Sequence, residues 1–405
     1  MRRDAESWLD FWKTGYYVGD HNMTFEEYID LVNNNVFLKE FTFHNTKFRP
    51  TPEVEVELAD YIVYVSDRIL VFQAKEREEE CRTADLGAEL RWLDNKVVRK
   101  ATRQLRHSIE YLQRHSPITA LNNRNHEFSI SHKGRTIHNV VVFDNQTLND
   151  RSDVCKFHNS RTAGFIHILS KPLYTLILDT LSTPAEIFEY LTFREEVLFG
   201  YDGVSTTIDE KALIGQYLYG ELKNHPNSQY EQYLSRLEND NYDFDLSIIL
   251  TQYGEKVFYY GKSASVTDYY AILEQFARLN RSYLASIKKR FAYCLEKIRE
   301  NSSGLPTRLY VPEIPCGFVM MPITQERVDI RLNYLQIITA AAKYDFRMPK
   351  QVGICFSLDQ EEVLVDWCYI EGPFQTNERI EAMLKDNYPF PKVREEVVNR
   401  YRFKA

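Results

Sequence analysis

The chain has 405 residues, 44% of them hydrophobic and 14% aromatic, with a formal net charge of -8. That length exceeds one comfortable core and points to two domains, while the acidic balance excludes a protein coated in positive charge and confines any nucleic-acid surface to a local patch. The six cysteines are scattered without a Cys-x-x-Cys pair, no signal sequence opens the chain, and no apolar run reaches the roughly 18 residues of a membrane span, so a cytoplasmic protein with no membrane partner is expected.

Residues 1–12 are amphipathic and aromatic-rich, and residues 24–32 begin with Thr24 as a helix cap and Glu26 and Glu27 in the first turn, which predicts helices ahead of a sheet. Residues 36–43 alternate well enough for a first strand, and Phe-Arg-Pro-Thr-Pro at 48–52 ends it. Residues 61–65 and 69–72 are β-branched or aromatic at nearly every position, as befits central strands covered on both faces. With Ser66 and Asp67 as the turn, Val65 pairs with Arg68, and counting back sets Asp60 across from Gln73 on one face. The period of two places Lys75 on that face too. Three polar groups thus stand where a hydrophobic hairpin would want apolar ones.

A helical pattern follows from about Gly87 to His115. Leu90, Leu93, Val97, Ala101, Leu105, Ile109 and Leu112 form its core face. Between Glu89 and Arg114 seven basic side chains stand against three acidic ones, seven minus three leaving +4, and Lys96, Arg99, Lys100, Arg103 and Arg106 make the strip to draw towards a phosphate backbone. A solvated face laced with ion pairs is the plain alternative. Further strands are predicted at 137–144 and 164–170, then a helix whose start is marked by Thr183-Pro184-Ala185-Glu186. Residues 206–243 read as a helical connection ending in a polar hinge at 238–243. Beyond it a hairpin (246–250 with 256–260), a helix over 266–299, strands at 309–311 and 318–321, a helix over 328–343 and a hairpin (353–358 with 363–370) predict an α+β domain. The expected division is 1–205, 206–243 and 244–405. The ten histidines show no zinc-type spacing and read as ordinary core or surface groups.

Hydrolysing a phosphodiester needs a divalent cation to neutralise phosphate charge and to acidify the attacking water, and Mg²⁺ prefers carboxylate and carbonyl oxygens. Asp60 offers a carboxylate, Gln73 an amide oxygen and Ala74 a backbone carbonyl, with Lys75 facing the same way to hold the water and stabilise developing charge. An acidic residue before an apolar strand, a turn, and a second strand closing in Gln73-Ala74-Lys75 resembles the PD-(D/E)xK phosphodiesterase superfamily, and the glutamine form is similar to its Mrr-like restriction endonucleases. The resemblance covers roughly residues 20–145, in the order helix, three strands, helix, strand. It implies an α/β, restriction-endonuclease-like N-terminal domain with a mixed central sheet flanked by helices, ahead of the second domain, whose role would be sensing, substrate recognition or partner docking. It further implies Asp60 as metal ligand, Gln73 as a second and weaker one, Lys75 as the catalytic lysine, and Glu26 or Glu27 approaching the ion. Mg²⁺ or Mn²⁺ is the cofactor so implied. The substrate is nucleic acid, DNA ahead of RNA, in restriction or antiviral defence, and the chain acts as a homodimer or as a partner subunit of a defence complex. Because Gln73 leaves the site one negative charge short, a catalytically weak or inactive nuclease-like subunit that binds nucleic acid or a protein is the alternative.

Overall fold

Thr24 accepts a hydrogen bond from the Glu27 amide while the Glu27 carboxylate takes the Thr24 amide, and this capping box starts α1 (Phe25–Phe37). The computed structural model describes residues 23–199 except 52, 84 and 152, then 209–220, 227–238, 244–246, 249, 250, 253, 267–359, 362–392, 394 and 399–404. The helix expected over 1–12 and the strand expected over 256–260 lie outside the described residues.

Three antiparallel strands follow α1: β1 (Thr42–Thr51), β2 (Val54–Val65) and β3 (Arg68–Glu76). The β2–β3 turn is the one the sequence predicts, with Val65 paired to Arg68 and Ser66 in the left-handed region at φ 55°. The first strand differs. Residues 36 and 37 complete α1, and β1 begins only at Thr42 and runs through Pro50. That proline is tolerated because β1 is an edge strand whose only sheet neighbour is β2.

Next comes one helical run made of α2 (Leu86–Trp92), a π-helical stretch (Leu93–Ala101) and α3 (Thr102–His115). Its apolar residues recur every fourth position from Leu93 to Ile109, a stripe that would drift around a 3.6-residue helix. The wider π turn winds it back onto one side. Leu93, Val97, Ala101, Leu105, Ile109 and Leu112 are all buried, whereas Leu90 stays exposed. A small hairpin, β4 (Ile118–Leu121) with β5 (Glu127–Ile130), precedes β6 (Thr136–Asp144), which lies parallel to β3. β7 (Phe157–Ser160) and β8 (Gly164–Ser170) complete a six-stranded mixed sheet in the order β1-β2-β3-β6-β8-β7.

Helices cover both faces. The long helical run packs on the face that carries Ile62, Ile69, Val71, Val141 and Phe143. On the other face lie α1, α4 (Lys171–Leu181) and α5 (Pro184–Phe199), where Tyr174 packs on Phe72 and donates to Asn33. α6 (Glu210–Tyr219), placed by the sequence in a connection, belongs to this core. Its Glu210 receives the buried Arg194 guanidinium at 2.7 and 3.1 Å. A buried pair of this kind is well satisfied, and removing one partner typically costs about 3–5 kcal/mol.

The chain divides into two compact units, residues 20–239 with 401–405, and residues 1–19 with 240–400. The junction falls inside the polar stretch expected to be a hinge. After α7 (Glu231–Arg236), the 237–238 backbone bonds back to the C-terminal residues through Glu238 N to Arg402 O and Lys404 N to Arg236 O. In the second unit the expected strand at 246–250 is replaced, where described, by helical residues 249 and 250. The long helix is cut into α8 (Tyr270–Ala277) and α9 (Arg281–Arg299) by Asn280, whose side chain caps α9. β9 (Thr307–Tyr310), β10 (Cys316–Ile323), α10 (Arg331–Asp345), β11 (Lys350–Asp359), β12 (Glu362–Glu371) and α11 (Glu378–Asp386) follow. They give a four-stranded sheet, β12-β11-β10-β9, with α10 on one face. Gly353 permits that approach, since a Cβ there would lie 1.9 Å from Thr339 Oγ1.

Candidate metal and phosphodiester site

Regular β2–β3 pairing stops at Tyr61 and Phe72. One residue on, the Asp60 carboxylate replaces its own backbone as partner and accepts the Ala74 amide at 2.8 Å. The strands therefore part at the C-terminal end of β3, and the edge of Ala74 that would have faced β2 is left to side chains. Into this fork reaches Lys75, whose Nζ donates to Ala74 O at 2.7 Å, to Gln73 Oε1 at 3.0 Å and to Asp60 Oδ2 at 3.3 Å. Asp60 and Gln73 consequently present their oxygens on the same face, as the turn count predicts. Gln73 is buried, while Asp60 and Lys75 keep 16% and 14% of their side-chain surface, which leaves a way in from solvent.

The three oxygens that the sequence singles out as metal ligands thus converge on a single cation, the ammonium of Lys75. The donors it meets, one carboxylate, one amide and one carbonyl, are all oxygen, the kind of set a hard cation prefers. Asp60, Gln73 and Ala74 would hold the ion. Of the two first-turn glutamates, Glu27 is committed to the capping box, whereas Glu26 lines a cleft of about 210 Å³ with Thr24, Phe25, Ala74 and Glu76. The Glu26 carbonyl also accepts Tyr61 Oη at 2.5 Å, which fixes the start of α1 against β2.

Several groups at this end of the sheet were not singled out in the sequence. Burial pushes the Glu76 carboxyl up from the usual range, and the nearby Asp144 and Glu26 add to the effect. Lys171 bonds Asp144 at 3.2 Å and lies over the Tyr28 ring. Glu89, fully buried at the start of the long helical run, takes a bidentate bond from Arg77 (3.0 and 3.2 Å), one from Asn145 (2.8 Å) and one from the Thr83 amide (3.1 Å). Burial opposes its ionisation, but the bonds from Arg77, Asn145 and Thr83 outweigh it and hold the carboxyl below its ordinary value. This knot ties α2 to the ends of β3 and β6. Only its alternating neighbours in sequence are visible to pattern reading; the meeting of Arg77, Glu89 and Asn145 needs the crossover.

The knot also changes the charge of the basic strip, because Glu89 is spent on Arg77 and offsets nothing outside. Lys96, Arg99, Lys100, Arg103 and Arg106 are all exposed, at spacings that share a helix face. Arg99 pairs with Asp94 at 2.9 Å and Arg91 with Asp85 at 3.4 Å. Among the described residues, Lys96, Lys100, Arg103 and Arg106 have no ion-pair partner.

A second group lies at the far end of the sheet. His138 on β6, His167 on β8 and Glu195 on α5 bring ligand-type atoms within 4.8 Å of one another, a juxtaposition that sequence spacing does not show. The distances suit a metal ion, but the proton positions do not. Arg194 Nη1 lies 3.0 Å from His167 Nδ1, and a guanidinium only donates, so Nδ1 is the acceptor and the neutral ring carries its proton on Nε2. Neither nitrogen then offers a free lone pair. Both histidines are buried, which drives His167 well below the ordinary histidine range and His138 down to about 4, with Arg68 adding to the effect on His138.

Comparison with protein-family models, with curated proteins and with solved structures finds no match for the chain. Among the described residues no helix is long and apolar enough to cross a membrane.

Proposed function

We propose that the unit formed by residues 20–239 is a divalent-metal-dependent nuclease that hydrolyses phosphodiester bonds of DNA, in a setting of restriction or antiviral defence. The observation that carries this reading is the convergence of Asp60 Oδ2, Gln73 Oε1 and Ala74 O on one cation at the fork of β2 and β3. Mg²⁺ or Mn²⁺ bound there would supply charge neutralisation and an acidified water. The residues do the rest. Asp60 and Gln73 fix the place of the reacting phosphate, and Lys75 orients the attacking water and meets the charge that builds on the phosphoryl oxygens. Glu26 lines a neighbouring cleft with Ala74 and Glu76 on the α1 side of the sheet, and the exposed cations of the long helical run offer the backbone its counter-charges.

Plasmid DNA incubated with the purified chain and Mg²⁺ or Mn²⁺ tests the reading. Cleavage by the wild type and its loss, by about 10³-fold or more, in Asp60→Ala and Lys75→Ala is the expected result. Cleavage that survives both substitutions overturns it. A second reading has its own support: the cage holds one formal negative charge, and Lys75 already balances it. On that reading the unit is a nuclease-like module that binds nucleic acid or a protein partner, and DNA binding without cleavage in either metal is its signature.

A further inference from the structure

The Lys75 ammonium and a divalent cation cannot both be served by the same oxygens. Nζ donates to Ala74 O, Gln73 Oε1 and Asp60 Oδ2 at 2.7, 3.0 and 3.3 Å, and among the described residues it has no other acceptor. Mg²⁺ needs the same oxygens at about 2.1 Å. An ion on the near side of the three oxygens overlaps the ammonium, and one on the far side faces a like charge at only a few ångströms across a poorly solvated gap. Lysine can yield. Its four-carbon stem rotates freely, and the side chain is 14% exposed, so it has a path to water.

From this geometry we infer that Lys75 is a built-in competitor for the metal: it closes the cage as an internal cation, and metal entry expels it. The inference rests on the metal-site reading above and deepens it into a form of regulation. Expulsion has a chemical purpose. The ammonium that caps the three ligand oxygens is held away from substrate, and only after it leaves them is it free to meet water and phosphate. Metal occupancy and delivery of the catalytic lysine then become one event, and the site stays shut at cation levels too low to displace it.

The test measures metal affinity, with no substrate present. Mn²⁺ binding to the full chain is titrated by calorimetry and by electron paramagnetic resonance for wild type, Lys75→Met and Lys75→Gln, two uncharged replacements of similar length, each checked for native circular dichroism. Affinity at least about tenfold tighter in the variants is the expected result. Reductive methylation read by mass spectrometry gives an independent measure on the wild type, with modification of Lys75 rising several-fold at saturating Mg²⁺. Equal affinity in wild type and both variants, or Lys75 labelling indifferent to Mg²⁺, overturns the inference and leaves the metal site standing. Absence of Mn²⁺ binding in wild type and in both variants overturns the metal site itself, and the competition with it. Asp60→Asn locates the signal: binding that persists in it comes from elsewhere in the chain and overturns both.

Discussion

Gln73 contributes a neutral oxygen at a position where a carboxylate would bring a second negative charge to the cage. Its side chain is buried and already 3.0 Å from Lys75 Nζ, so Gln73→Glu changes charge with almost no change of shape. Added attraction for a divalent ion at this range is expected to tighten Mn²⁺ binding about tenfold, measured by calorimetric titration. An affinity left unchanged would remove the residue from the ligand set. At the other end of the sheet, His138 makes a prediction about pH. Its folded value, pushed down to about 4, lies below the ordinary histidine value, so between the two the unfolded chain binds a proton that the native protein refuses. The stabilisation is whole above about pH 6.5 and drains away as pH falls towards 4, by up to about 3 kcal/mol. Urea denaturation across that range shows it, and His138→Leu should flatten the slope. Asp60, Gln73 and Lys75 were legible in the sequence because one turn length fixes all three. Glu76, the Arg77–Glu89–Asn145 knot and the His138–His167 pair were not, because each depends on a neighbour brought in by a parallel crossover.

At the scale of elements, the long helical run is the part that would link site to substrate on the proposed reading. Its inner stripe packs the sheet, and its outer face keeps Lys96, Lys100, Arg103 and Arg106 exposed and unpaired. Replacing all four by glutamine should weaken DNA binding and make the dependence of log K on log salt shallower by about three to four units, near 0.9 for each lost phosphate contact. A fluorescence-anisotropy salt series reads that slope, and an unaltered slope takes this face out of the interface. The helix itself was evident from its apolar spacing, but its π-helical middle was not, since every fourth position is ambiguous between two turn widths. β1 was misplaced for a plainer reason. Pro50 reads as a strand breaker unless the strand is known to lie at a sheet edge, and edge position is a property of the assembled sheet. The cut between α8 and α9 turns on one side chain, Asn280, whose capping bonds to the amides of Ser282 and Tyr283 appear only once the helix starts there.

Across the whole molecule, the division between the units falls at 239/240, and the return of the chain to the first unit was not foreseen. The strand that leaves the first unit at Glu238 lies against the strand that re-enters it at Arg402, with Leu237 bridged to Phe403. The C-terminal residues thus return to the unit formed by residues 20–239 after the chain has passed through residues 240–400. The Leu237–Phe403 bridge lies next to α7, which packs on α6. From there Glu210 grips Arg194, Arg194 grips His167 on β8, and β8 is bonded through β6 to β3, where Lys75 pairs with Phe143. The returning C-terminal residues are thus joined to the lysine in the cage by a continuous line of packed and bonded residues within one unit.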